Sequence, residues 1–287
     1  MEQGNARRVL AVVVAALFAG MLAYKLLHAG HLEQTAVFYV GVPAVIALTV
    51  VLTARTRSAT GTIMAVLTVG LALAGPLLGE GIVCLVFAAP LFYLVGLAIG
   101  LFADWVGRGR KGVNAVAVPL LVLVALEGAG DTSVIARESV AVASVPATGD
   151  VARALAATPS FRPYDSALLR VGFPRPLSVT GTGTRVGDTR VITFTPRVSL
   201  GIGARPEPRS MTLRVSASGP GRVVFDVAAD TTWTRWVELR SAAFTWDRGV
   251  VTVRLAYRRT FDPSWYFGPI QQAAMTEAAA YLARTFG

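Results

Sequence analysis

The chain has 287 residues, 54% of them hydrophobic and 15% charged, with a mean hydropathy of +0.57 and a formal net charge of +10. Soluble globular domains carry about 25% charged residues, so neither an ordinary cytosolic enzyme nor a disordered chain fits. The single cysteine, Cys84, excludes a disulfide scaffold and a multi-cysteine metal site.

The charge is unevenly placed. Residues 1–128 hold 8 basic and 5 acidic residues, and residues 129–287 hold 19 and 12. The first part reads as a transmembrane helical region and the second as a water-soluble domain, which gives two units, 1–128 and 129–287.

A bilayer crossing needs about 20 mostly apolar residues. Residues 9–27, 36–53, 62–78 and 82–103 meet or approach that length, and 113–128 reaches it only by running through Glu127. The breaks between them are short and rich in turn formers, as expected of antiparallel neighbours in a bundle of about five spans. A cleaved signal peptide fits poorly, because further hydrophobic segments follow the first. Arg7 and Arg8, Arg55 and Arg57, and Arg108, Arg110 and Lys111 fall at alternate ends of these segments. The positive-inside rule then places the N-terminus in the cytoplasm and, if 113–128 crosses, the second unit on the outer face of the plasma (inner) membrane. Mid-span positions carry no ionisable residue. Lys25, Asp104 and Glu127 lie near span ends, so an anchoring bundle is a better reading than a transporter or channel. The pairs Gly70/Ala74 and Gly96/Gly100 have the spacing of close helix packing.

From residue 134 the pattern changes. Residues 134–145 alternate as a strand, 151–157 form a short helical stretch, and 185–195, 210–216, 222–229, 235–246 and 250–260 read as strands separated by Gly, Pro and Asp turns. Asp262 is placed to cap a long final helix, with Pro263 in its first turn. Ile270, Ala274, Ala278 and Leu282 share one face of that helix. The result is an α+β domain, an antiparallel sheet around a C-terminal helix.

This order of elements resembles the START/polyketide-cyclase superfamily, also called SRPBCC, with its helix-grip fold. The run 180–190 (Thr-Gly-Thr-Gly-Thr-Arg-Val-Gly-Asp-Thr-Arg) leading into a strand adds to the resemblance. So does 257–269, which leads into an amphipathic helix. The resemblance covers residues 134–286. It implies a hydrophobic ligand held between sheet and helix, and it carries no universal catalytic motif to transfer.

Thr180–Asp188 is glycine-rich but lacks the Lys-Ser/Thr ending of a phosphate loop, so a turn between strands is the better reading. His28 and His31, the only histidines, read as a solvated loop, since zinc sites use three or four protein ligands. The second unit has neither histidine nor cysteine, which removes the commonest bases, nucleophiles and metal ligands. No metal or cofactor is expected. Glu238, Asp226 and Tyr257 are the candidates left for acid–base work, and Glu238 and Arg240 share a strand face with Trp236. Phe194, Phe225, Trp236, Tyr257, Ile270, Ala274 and Tyr281 are the candidate ligand-lining residues.

The basic residues of the second unit are scattered arginines, a pattern that argues against nucleic acid and for anionic headgroups. The expected function is a membrane-anchored binding module for a hydrophobic ligand or lipid. The alternatives are a cyclase, hydratase or hydrolase acting on a hydrophobic substrate, and a structural subunit whose domain binds a protein partner.

Overall fold

The computed structural model describes residues 9–20, 23, 42–54, 57–78, 82–108, 135–197, 206–232 and 237–287. The chain divides into an N-terminal and a C-terminal unit.

The N-terminal unit is helical: α1 (Val9–Gly20), α2 (Val42–Thr53), α3 (Ala59–Leu78) and α4 (Ile82–Arg108). Val14, Phe18 and Ala47 form a small buried cluster with Val69, Ala72 and Leu73 against it, so α1, α2 and α3 pack together. The α3–α4 contact is closer. Gly100 lies against α3, where a Cβ on it would come 2.5 Å from Thr60 Cα, and Gly96 lies under Leu67. Asp104 fixes the register of the pair. Its Oδ1 accepts the Ala59 N–H at 2.6 Å, and its Oδ2 accepts the Thr60 N–H at 3.2 Å and the Thr60 hydroxyl at 2.6 Å. A carboxylate from a neighbouring helix thus satisfies two of the N–H groups that begin α3. Gly70, by contrast, has nothing within 4 Å of its Cβ position among the described residues.

The expectation of about five spans is corrected. Among the described residues one helix is long and apolar enough to cross a membrane, Leu85–Val106, with 22 residues, most of them unburied. Val9–Gly20, Val42–Thr53 and Ala59–Ala74 are shorter apolar helical stretches among the described residues. Residues 113–128, the tail of the first segment, and the loop with His28 and His31 lie outside the described residues.

The C-terminal unit starts with β1 (Glu138–Pro146), then two short helices, α5 (Val151–Ala156) and α6 (Ala167–Gly172). Six strands follow: β2 (Pro176–Thr180), β3 (Thr189–Arg197), β4 (Glu207–Gly219), β5 (Arg222–Asp230), β6 (Val237–Asp247) and β7 (Val250–Arg259). The last element is α7 (Ser264–Phe286). The seven strands form one antiparallel sheet in the order β1-β7-β6-β5-β4-β3-β2. Alternation builds it. On β7, Val251, Val253, Leu255 and Tyr257 face inward, and on β6 Leu239, Ala242 and Phe244 do. The β6–β7 link is a two-residue turn in which Arg248 and Gly249 both have positive φ, 48° and 76°. That backbone matches the strand twist and suits Gly in its second place. Register shifts within β4 and β6 mark bulges that bend the sheet around α7.

The helix lies along β1 and β7. The Gln272 amide donates to Val140 O at 3.1 Å near one end, and Thr148 N–H donates to Gly287 O at 2.6 Å near the other. An antiparallel seven-stranded sheet closed on a long C-terminal helix is a helix-grip domain.

Candidate functional site

The inner face of the sheet is not fully covered by α7. The helix sits over β1 and β7, while the other half of the sheet, β3 to β6, is covered by α5, α6 and the segment between them. The space these leave is an apolar cavity of about 100 Å³. Its floor is Ile192, Phe194, Leu213, Phe225 and Phe244, and its roof includes Leu155, Leu169, Ala278, Tyr281 and Phe286. Edge-to-face ring contacts stiffen the wall. Phe244 stands 5.9 Å from Phe225 and 5.2 Å from Phe286, and Tyr164 stands 4.8 Å from Tyr281.

The short helices hold the roof by local chemistry. Asp150 caps α5, its carboxylate accepting the Arg153 N–H at 3.0 Å. Tyr164 donates its hydroxyl to Pro174 O, and Tyr281 donates its own to Arg162 O, both at 2.8 Å. These bonds close the loop 157–166 over the cavity. Tyr164 and Phe173 also border an outer groove that contains Arg170 and Arg175, so the two rings separate cavity from solvent on that side. Burial pushes the Tyr164 phenol above the ordinary tyrosine value, and the neighbouring Tyr281 adds to the rise while Arg175 opposes it. Tyr281 is raised for the same first reason. Both are therefore neutral donors at physiological pH and poor bases.

One lining residue is a cation. Arg190 follows the inward phase of β3, Arg190–Ile192–Phe194, and is only 4% exposed. Its Nη2 donates to Gly183 O at 2.8 Å and to Leu155 O. Its guanidinium carbon lies 5.3 Å from the centre of the Phe225 ring. Its Nε–H is buried without an acceptor. Burial lowers the guanidinium below the ordinary arginine value, partly offset by the charge of Asp188.

Of the ligand-lining candidates read from sequence, the structure brings Phe194, Phe225 and Tyr281 together on the cavity. Tyr257 is fully buried directly under α7, where its hydroxyl donates to Gln272 Oε1 at 2.6 Å, and it does not reach the cavity. Ala274, buried, and Ile270, half-buried, stand one and two turns before Ala278 on α7 and do not line the cavity. Trp236 lies outside the described residues. The acid–base candidates are also apart from the cavity. Asp226 is exposed, and Glu238 pairs on the outer face with Arg240 at 2.8 Å and Arg258 at 4.0 Å. The titratable residues among the described lining are Tyr164, Arg190 and Tyr281. Asp262 does not cap α7 either: Pro263 occupies the cap position, and the Asp262 carboxylate accepts from Arg137 at 3.2 Å. The loop 181–188 joins β2 to β3 as a turn, with Gly181, Gly183 and Gly187 all at positive φ.

Sequence reasoning missed Arg190, Tyr164 and Phe173. The signal for Arg190 was present: an arginine in phase with two apolar inward positions of one strand. Tyr164 and Phe173 sit in irregular chain, where periodicity says nothing.

No family model and no curated protein sequence matches the chain. Among solved structures, ginseng major latex-like protein 151 from Panax ginseng is 11% identical, with a TM-score of 0.29 over 50% of this chain and 97% of its own. Protein Ms6760 from Mycobacterium smegmatis is 12% identical, with a TM-score of 0.31 over 52% of this chain and 88% of its own. A protein from Thermus thermophilus is 15% identical, with a TM-score of 0.31 over 52% of this chain and 93% of its own. The strand order and the gripping helix, not these distant likenesses, are what make the C-terminal unit a helix-grip domain.

Proposed function

We propose that this protein is a membrane-held binding module whose C-terminal domain takes a small hydrophobic ligand into the cavity between sheet and helix. The observation that carries the reading is the cavity itself, an unfilled apolar space in an otherwise close-packed core. Its volume lies below the roughly 300–1,000 Å³ of pockets for drug-sized molecules, which favours a small body over a two-chain lipid. Binding draws on apolar burial, at ~25 cal/mol per Å².

Membrane attachment rests on the N-terminal unit. Leu85–Val106 is apolar yet mostly unburied, and Val12, Val45, Val66 and Phe92 are each at least half exposed. Such a surface needs an apolar medium or a partner to cover it. The basic run at 108–111 begins at the last residue of α4, Arg108, and continues in sequence with Arg110 and Lys111. The outer-face location of the domain therefore depends on residues 113–128 crossing back.

The test is ligand uptake by the full chain in lipid nanodiscs, followed with a fluorescent fatty-acid analogue against empty nanodiscs. Saturable uptake at one site per chain is expected. A chain that takes up no more than the empty discs removes the reading.

A further inference from the structure

We propose that Arg190 is an anion anchor inside the cavity, and that the ligand is a small amphiphile with a single ring or chain and one carboxylate. The inference rests on the ligand-binding reading above and adds the ligand's charge and orientation.

Arg190 sits where an apolar residue belongs, on the inward row of β3 beside Ile192 and Phe194, at 4% exposure. No carboxylate among the described residues lies within ion-pairing distance of it. Asp188 is the acidic residue whose charge acts on it, but the Asp188 carboxylate accepts the Arg185 N–H at 2.8 Å and lies in the β2–β3 loop. The guanidinium spends Nη2 on two backbone carbonyls and leaves Nε–H buried without an acceptor.

A buried charge without a counter-charge is costly, and a clamp on two carbonyls needs only a neutral donor. With the Nη2 hydrogens held by Leu155 O and Gly183 O, the Nε–H is the donor left to give a carboxylate a charge-assisted hydrogen bond, which is stronger where water is excluded. One cation balances one negative charge. A phosphomonoester would leave a second charge unpaired in an apolar lining. The cavity volume of about 100 Å³ sets the size of the body. The aromatic floor of Phe194, Phe225 and Phe244 suits a ring or a short chain, with the carboxylate at Arg190.

The experiment compares 3-phenylpropanoate with 3-phenyl-1-propanol, which share an apolar body and differ in the head. Affinities are measured for the full chain in nanodiscs at neutral pH, with empty discs as the blank. The unaltered protein is expected to bind the acid at least about tenfold more tightly than the alcohol. Arg190→Gln is expected to bind the two within about twofold, and Arg190→Lys to keep part of the preference. Equal affinities in the unaltered protein overturn the anchor while leaving the ligand-binding reading intact. Binding of neither compound overturns both. A preference that survives in folded Arg190→Gln assigns Arg190 to holding Leu155 and Gly183 only, and overturns the anchor. If Arg190→Gln does not fold, the carboxyl ¹³C signal of the acid bound to the unaltered protein decides: titration below the free acid supports the anchor, and titration at or above it overturns it.

Discussion

The guanidinium of Arg190 lies over the ring of Phe225, its central carbon 5.3 Å from the ring centre. A desolvated cation over an aromatic face is worth up to about 2 kcal/mol. Phe225→Leu keeps an apolar side chain but removes the π face. A double-mutant cycle with Arg190→Gln, read by urea unfolding, should give a coupling of about 0.5–2 kcal/mol. Additive effects would mean the ring only fills space.

Ala278 is the point at which α7 leaves room below it. Ala278→Leu adds volume at the cavity roof. Because the space is empty, the usual overpacking cost of about 1–3 kcal/mol should be largely absent. Uptake of the fluorescent fatty-acid analogue should fall by about tenfold or more through lost volume. A variant that binds normally places the ligand elsewhere.

Two glycines of the N-terminal unit should respond oppositely to the same substitution. Gly70→Ala meets nothing within 4 Å and should raise the melting temperature through helix propensity, a gain of up to about 1 kcal/mol. Gly100→Ala drives a methyl to 2.5 Å from Thr60 Cα and must part α3 from α4. It also strains the bonds of Asp104 to Ala59 and Thr60, and should lower the melting temperature. Equal shifts on melting the full chain in detergent would sink the close-packing account.

High pH should unfold the C-terminal unit by a tyrosine route. Tyr164, Tyr257 and Tyr281 are all raised, burial being the leading cause. In the folded state they hold their protons at pH values where the unfolded chain, with tyrosines near pH ~10, has lost them. The unfolded state then binds fewer protons, so stability is constant below that point and falls as pH rises through it. Ultraviolet titration of the folded chain should show a group of phenols ionising late, together with loss of structure. Full ionisation near the ordinary value, with structure intact, would contradict the burial.

The side of the membrane is read by alkaline phosphatase fused to the C-terminus. Activity is expected if residues 113–128 cross after the basic run at 108–111. An inactive fusion puts the domain in the cytoplasm.

The sheet was legible where alternation is strict. The predicted strands 222–229 and 250–260 fall within a residue or so of β5 and β7, because both run between turns and have one buried face. β2 and α6 were not legible: five and six residues are too few for a period, and tertiary packing alone makes them regular. The pocket was legible in part for a similar reason. Alternation places Phe194 and Phe225 on the inner face, but it does not say which part of that face α7 covers. Tyr257 and Phe225 look alike in sequence, and only the path of the helix along β1 and β7 separates core from cavity. Asp104 was read as a residue near a span end. Its role as a cap for α3 depends on a partner more than forty positions away.

The pairing of β1 with β7 has a consequence for how the domain is made. Ser144 and Thr252, whose hydroxyls meet at 2.7 Å across that pair, are 108 residues apart in the chain. β1 is synthesised first among the strands and finds its neighbour last. Until β7 and α7 arrive, β1 lacks both its strand partner and the helix that covers it, and waits as an unpaired edge. Folding of this unit is therefore held back until its final residues are available. A nascent chain stopped short of residue 250 should be a target for chaperones and proteases, not a partly working domain.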